Sequence, residues 1–163
     1  MNGLERLEYR GYDSAGIAVL DDTGHASVRK STGRVSALAQ EVANHAPKNK
    51  PSRGIAHTRW ATHGGVTVDN CHPHVSNNGK RIIVHNGIIE NYLKHKQTLE
   101  KAGYTFIGQT DTEVIANLLQ AKHQQGFPRS LVVHAGRGGA VLVHRRSAVR
   151  NLPDAVLQAE HGR

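Results

Sequence analysis

Runs of apolar side chains, broken by Gly, Asn and Asp, divide the first 126 residues into short elements of two periods. Leu4 and Leu7 followed by Gly11 predict the last turns of a helix with a glycine C-cap, so the chain opens inside an element. Ala15 to Leu20 is an apolar strand, Asp21-Asp22-Thr23-Gly24 a turn and His25 to Lys30 the return strand of a hairpin. Val35 to Val42 has helical spacing, and the polar, basic stretch Pro47 to Pro51 separates it from a strand over Gly54 to Trp60. A glycine- and histidine-bearing segment follows. Arg81 to His85 is predicted as a short buried strand, Asn86-Gly87 as a turn, Ile89 to Ala102 as a helix ended by Gly103, and Tyr104 to Ile107 as a further strand. Thr110-Asp111-Thr112-Glu113 fits a capping box that opens a helix through about Gln124, with Val114, Ile115, Leu118 and Leu119 on its apolar face.

The texture changes at Phe127. Beyond it there is no Lys, Ile, Thr or aromatic residue, and every basic side chain apart from histidine is Arg. We therefore expect one domain over residues 1–126 and an unassigned Arg-rich tail over 127–163. The tail's Arg/Ala/Gly/Val/His bias suits a linker or, the reading preferred, a G+C-rich gene read out of frame. Charge follows the same division. The formal net charge is +8, yet residues 1–128 hold 15 basic and 11 acidic side chains while 129–163 hold 6 and 2, so half the excess belongs to the tail. A basic nucleic-acid-binding module is a poor fit, because seven aromatic residues leave few platforms for bases. The single cysteine, Cys71, rules out an internal disulfide framework, and no run approaches the roughly 18 apolar residues of a membrane span. A cytoplasmic protein without membrane association is expected.

Polar chemistry concentrates in three places. His57-Thr58-Arg59-Trp60-Ala61-Thr62-His63-Gly64 places a guanidinium, hydroxyls and imidazoles at the end of a strand, a set suited to a carboxylate, which Arg59 can grip with its planar fork. Taken alone, Arg59 suits a solvated surface loop as well. His85-Asn86-Gly87 follows an apolar strand and can aim an amide and a backbone N–H at one point, as an oxyanion needs; Asn-Gly is equally the commonest turn dipeptide. Asp111 can bind an amino group or simply favour the positive end of its helix. Five histidines lie between His57 and His85, but their spacing and the lack of a second cysteine argue against a metal site. Neither a metal nor a cofactor is expected.

These segments combine with Leu7-Glu8-Tyr9-Arg10-Gly11-Tyr12-Asp13-Ser14-Ala15-Gly16, His72-Pro73-His74 and His85-Asn86-Gly87-Ile88-Ile89-Glu90-Asn91. In that order, over residues 4 to 126, they resemble the motifs of the N-terminal-nucleophile glutamine amidotransferases, and the Glu-Tyr-Arg-Gly-Tyr-Asp form is most similar to the fructose-6-phosphate aminotransferase branch. The resemblance implies an α+β, four-layer αββα sandwich whose family hydrolyses glutamine to supply ammonia for glucosamine 6-phosphate synthesis. It further implies that Arg59, helped by Thr62 and His63, binds the α-carboxylate of glutamine and Asp111 its α-ammonium. Asn86 and Gly87 would form the oxyanion hole, Arg10 and Gly11 would line the nucleophile's end, and Trp60 and His72 would shape the closing loop.

Family members begin with a catalytic cysteine whose thiol attacks and whose α-amine is the base. Met1-Asn2-Gly3 stands inside the first family helix, so an incomplete sandwich of marginal stability is expected, able to bind glutamine or glutamate and not to turn it over. Cys71 is a poor replacement, having no α-amine. A regulatory pseudoenzyme associated with an intact relative is the other function compatible with that start.

Overall fold

The computed structural model describes residues 1–46, 49–61 and 64–126. The Arg-rich tail, Thr62 and His63 lie outside the described residues, as does the side chain of Arg10. The elements in chain order are α1 (Asn2–Glu5), a 3-10 turn (Glu8–Arg10), β1 (Ser14–Asp21), β2 (Ala26–Thr32), α2 (Val35–Asn44), β3 (Pro51–Arg59), β4 (His74–Val75), β5 (Ile82–Ile83), α3 (Tyr92–Lys101) and α4 (Asp111–Gln124).

Gly11 ends the 3-10 turn at φ 77°, a left-handed cap that a side chain would disfavour, and the chain then enters β1. The hairpin β1–β2 closes through Asp21, whose carboxylate accepts from the N–H groups of Thr23 and His25 at 3.0 and 2.8 Å. Strand β1 is central, paired antiparallel to β2 on one side and to β3 on the other. Its side chains alternate. Ala15 and Ile17 turn to one face, where they meet Val35, Leu38 and Val42 of α2 together with Leu4. The carboxylate of Glu8 accepts from the N–H of Val35 at 3.0 Å and so caps α2 from outside its own sequence neighbourhood.

The opposite face of this sheet carries Ser14 and Gly16, which in register oppose Arg59 and His57. There it meets the second layer. A methyl at Gly16 would collide with the backbone carbonyl of His72, and the rings of His57 and His72 stack at 4.4 Å between centroids. The small hairpin β4–β5 continues that layer. Helix α4 packs on it through Ile115, Ala116 and Leu119 against Ile83 and Ile89, and α3 packs on α4 around Leu99, Val114 and Leu118. The order is therefore α2, three-stranded sheet, two-stranded hairpin, α4 with α3: the αββα stacking expected. Among the described residues no helix is long and apolar enough to cross a membrane.

Four expected elements differ. Tyr104 to Ile107 is not a strand, because its backbone is satisfied by side chains: Asn77 Oδ1 accepts from Thr105 N at 2.9 Å, Asn77 Nδ2 donates to Thr105 O at 2.8 Å, and Glu113 Oε1 accepts from Ile107 N at 2.9 Å. The helix expected from Ile89 starts at Tyr92, and the N–H of Ile89 donates to Asp111. Arg81 to His85 shortens to Ile82–Ile83, and the N–H of His85 turns to the ring of His72. Gly87 is not among the left-handed glycines, so Asn86-Gly87 is not a tight hairpin turn. The helix start at Thr110 is as expected: its hydroxyl accepts from Glu113 N at 3.3 Å.

Candidate functional site

Where the first sheet's inner face meets the start of α4, His57, Arg59, Trp60, His72, His85, Asn86, Gly87, Ile88, Thr110, Asp111 and Thr112 enclose a cleft of about 260 Å3. That is slightly below the usual size of small-molecule clefts, roughly 300–1,000 Å3, and suits an amino acid better than a nucleotide. Trp60 and Ile88 leave most of their surface to solvent and form an apolar lip.

Arg59, the last residue of β3, is buried, and its guanidinium is held from behind. Nη1 donates to Gly65 O at 3.3 Å, Nη2 to Gly64 O at 3.5 Å, and Asp13 Oδ1 lies 4.0 Å from Nη1. Asp13 is itself fixed, accepting from the N–H of Ala61 and from Ser14 Oγ. Asp111 opens α4 and is likewise buried; one oxygen accepts from Ile89 N at 2.8 Å. That N–H belongs to the chain just after Asn86-Gly87, so the carboxylate pins the segment that carries both.

The imidazoles around these two charges are neutral at physiological pH. Burial pushes His57 down to about 4, aided by the repulsion that a protonated His85 would exert on it and by the positive charge of Arg59. Burial drives His74 to about 3 and holds His72 well below the usual range. For His85 burial again lowers the value, opposed by the charge of Asp111. His72 Nδ1 accepts from the N–H of His85 at 3.3 Å, which leaves its other nitrogen to carry the proton. With the rings uncharged, the described lining residues present one cation, Arg59, and one anion, Asp111: the complement of a zwitterionic α-amino acid.

Of the residues singled out in the sequence, Arg59, Trp60, His72, Asn86, Gly87 and Asp111 come together on this one cleft. Gly11 stands beside it, where a methyl would lie 3.7 Å from the Trp60 ring. Thr62 and His63 connect Ala61 to Gly64 outside the described residues. Cys71 is not a lining residue. It is fully buried, its Sγ lies 3.1 Å from Thr67 O, and burial raises its pKa, so the thiol is held protonated. No group of three or more potential metal ligands occurs among the described residues.

His57 and Asp13 enter the sequence reading only as members of longer motifs, and Thr110 and Thr112 only as part of a capping box, with no individual place at the cleft. His57 was within reach of the alternation rule, since it lies two residues before Arg59 and shares its face. Asp13 depends on the β1–β3 register, which places Ser14 opposite Arg59 and is not encoded in any short window.

Residues 57–146 match the model of the glutamine amidotransferase domain. The glutamine–fructose-6-phosphate aminotransferase (isomerizing) of Corynebacterium glutamicum is 56% identical over 73% of this chain and 19% of its own length. Its namesake in Escherichia coli K12 is 45% identical over 99% of this chain and 26% of its own length. The chain thus spans a fifth to a quarter of these relatives. Among solved structures, the glutamine phosphoribosylpyrophosphate amidotransferase from B. subtilis, complexed with ADP and GMP, superposes with a TM-score of 0.58 at 33% identity over 72% of this chain and 25% of that one. The allosteric regulatory enzyme of purine biosynthesis superposes with the same TM-score at 36% identity, again over 72% and 25%.

Proposed function

Because the chain belongs to the glutamine amidotransferase domain family, we propose that the cleft binds glutamine, and its product glutamate, as the ammonia-supplying part of a cytoplasmic glutamine–fructose-6-phosphate aminotransferase. The observation that carries this reading is the pairing of one buried guanidinium with one buried carboxylate among neutral imidazoles. Arg59 takes the α-carboxylate, for which its planar fork is suited. Asp111 takes the α-ammonium. The side-chain amide then lies toward Asn86 and Gly87, whose amide and N–H donate to the oxygen that becomes negative when the carbonyl is attacked. A donor of this kind contributes about 10²- to 10³-fold in rate.

The attacking thiol is not Cys71, which lies off the cleft and is protonated. These residues bind the amino acid and stabilise the oxyanion, and a nucleophile must be presented to them. Trp60, at the exposed lip, closes over the occupied cleft.

Calorimetry with L-glutamate tests the assignment. The unaltered chain is expected to bind and Arg59→Ala to lose detectable binding. Unchanged affinity in that variant would remove Arg59 from the site.

A further inference from the structure

Arg59 and Asp111 sit on different layers. The first ends a strand of the three-stranded sheet and the second begins a helix packed on the β4–β5 hairpin; these two sheets share no ladder. Recognition of an α-amino acid nevertheless requires the cation and anion to be held at a fixed separation, since carboxylate and ammonium hang from one carbon. Backbone pairing does not set that distance, so side chains must.

Resting on the reading that Arg59 and Asp111 bind the two ends of the amino acid head, we propose that Asn70 is a positioning residue that fixes their separation. Asn70 does not line the cleft, and it is 2% exposed. Its amide is spent in opposite directions. Nδ2 donates to Gly65 O at 2.9 Å, the same carbonyl that receives Arg59 Nη1. Oδ1 accepts from Gln109 N at 2.7 Å, two residues before Asp111. One planar group thereby ties the rear support of the guanidinium to the approach of α4.

Two further contacts make the strut stiff. The ring of His74 hydrogen-bonds the backbone of Asn70, and its Nε2 lies 2.9 Å from Thr110 Oγ1, the N-cap next to Asp111. On the other side Gly64 adopts φ 74°, and a methyl there would come within 2.7 Å of Asn70 Nδ2. The loop that cradles Arg59 is pressed against the amide with no room for a side chain. Asparagine is required in this role because it offers a donor and an acceptor on one short rigid arm. Aspartate would oppose a second acceptor to Gly65 O, and leucine would strip Gln109 N of its acceptor and cut the tie to Gly65 O.

The experiment compares two ligands on the full chain by calorimetry: L-glutamate, which uses both poles, and glutarate, which lacks the α-ammonium and engages Arg59 alone. Asn70→Ala is expected to weaken L-glutamate by about 10-fold, a shift in spacing costing the second pole, while glutarate changes by less than about twofold. Asn70→Ser, which can restore one of the two bonds and tolerates burial better, is expected to fall between Asn70→Ala and the unaltered chain, and it carries the test if the alanine variant does not fold. Equal weakening of both ligands, or no weakening of L-glutamate in the folded variants, overturns the strut while leaving the binding assignment in place. Failure of the unaltered chain to bind L-glutamate overturns the binding assignment and the strut with it.

Discussion

Replacing Asp111 with asparagine isolates the anion of the cleft with almost no change of shape. Asp111 is 5% exposed; one carboxylate oxygen takes the N–H of Ile89 at 2.8 Å and the other lies 3.5 Å from Thr112 Oγ1. An asparagine can keep the bond to Ile89 through its carbonyl, so the segment bearing Asn86 and Gly87 stays in place. The negative charge is lost. A hydrogen bond to a charged group contributes about 1.5–3 kcal/mol, so L-glutamate is expected to bind about 10- to 150-fold more weakly to Asp111→Asn. Stability falls less. Asp111 is the first residue of α4, where its charge opposes the positive end of the helix and strengthens the Ile89 bond, together about 1–2 kcal/mol. Titration calorimetry with L-glutamate and with glutarate reads the first quantity, and urea unfolding the second. The loss should vanish with glutarate, which has no ammonium to lose. An equal loss for both ligands would show that Asp111 supports the cleft and does not contact the ligand.

Three other outcomes follow from the packing and electrostatics. His57 and His74 are held neutral with folded values of about 4 and about 3 against 6.5 in an unfolded chain, so the unfolded state binds more protons between those limits. Their contribution is complete above pH 6.5 and is lost as pH falls toward 4, at up to about 1.4 kcal/mol per pH unit for each ring. Urea midpoints at pH 7 and pH 5 measure this, and equal midpoints would contradict it. Gly16→Ala drives a methyl into the carbonyl of His72 between the two sheets and is expected to cost at least about 2 kcal/mol in the same assay. Cys71 should react with a thiol reagent only after unfolding, and Cys71→Ala should leave L-glutamate affinity unchanged; rapid labelling of the native chain would place the thiol elsewhere.

How much was legible in the sequence depended on whether an element is governed by its own residues or by distant ones. The strands Ser14–Asp21 and Ala26–Thr32 and helices Val35–Asn44 and Asp111–Gln124 carry their own periodicity and end signals, and they were readable. The segment 104–107 has strand-like side chains, but Asn77 and Glu113 take its backbone, and Asn77 lies 28 residues away from Thr105. Burial of α4 also exceeded its apolar stripe. Asn117 and Gln120 are buried because their carbonyls accept from the N–H groups of Asn77 and Asn78 at 2.8 and 2.9 Å, holding the loop of the β4–β5 hairpin on the helix. At the site, Arg59, Asn86 and Asp111 were named from their motifs, whereas Asp13 and Asn70 act through other residues and carry no motif of their own. Their significance comes from the three-dimensional path of hydrogen bonds alone.

The claim that one cleft holds the amino acid head between Arg59 and Asp111 is tested most directly by titrating the isotopically labelled chain with L-glutamate and following backbone amide resonances. The account predicts that the largest saturable shifts fall on Trp60, Asn86, Gly87, Ile89 and Asp111, with Cys71 and the β1–β2 turn at Thr23 unmoved. Saturable shifts centred away from the Arg59–Asp111 cleft, or none at concentrations that saturate calorimetry, would contradict it.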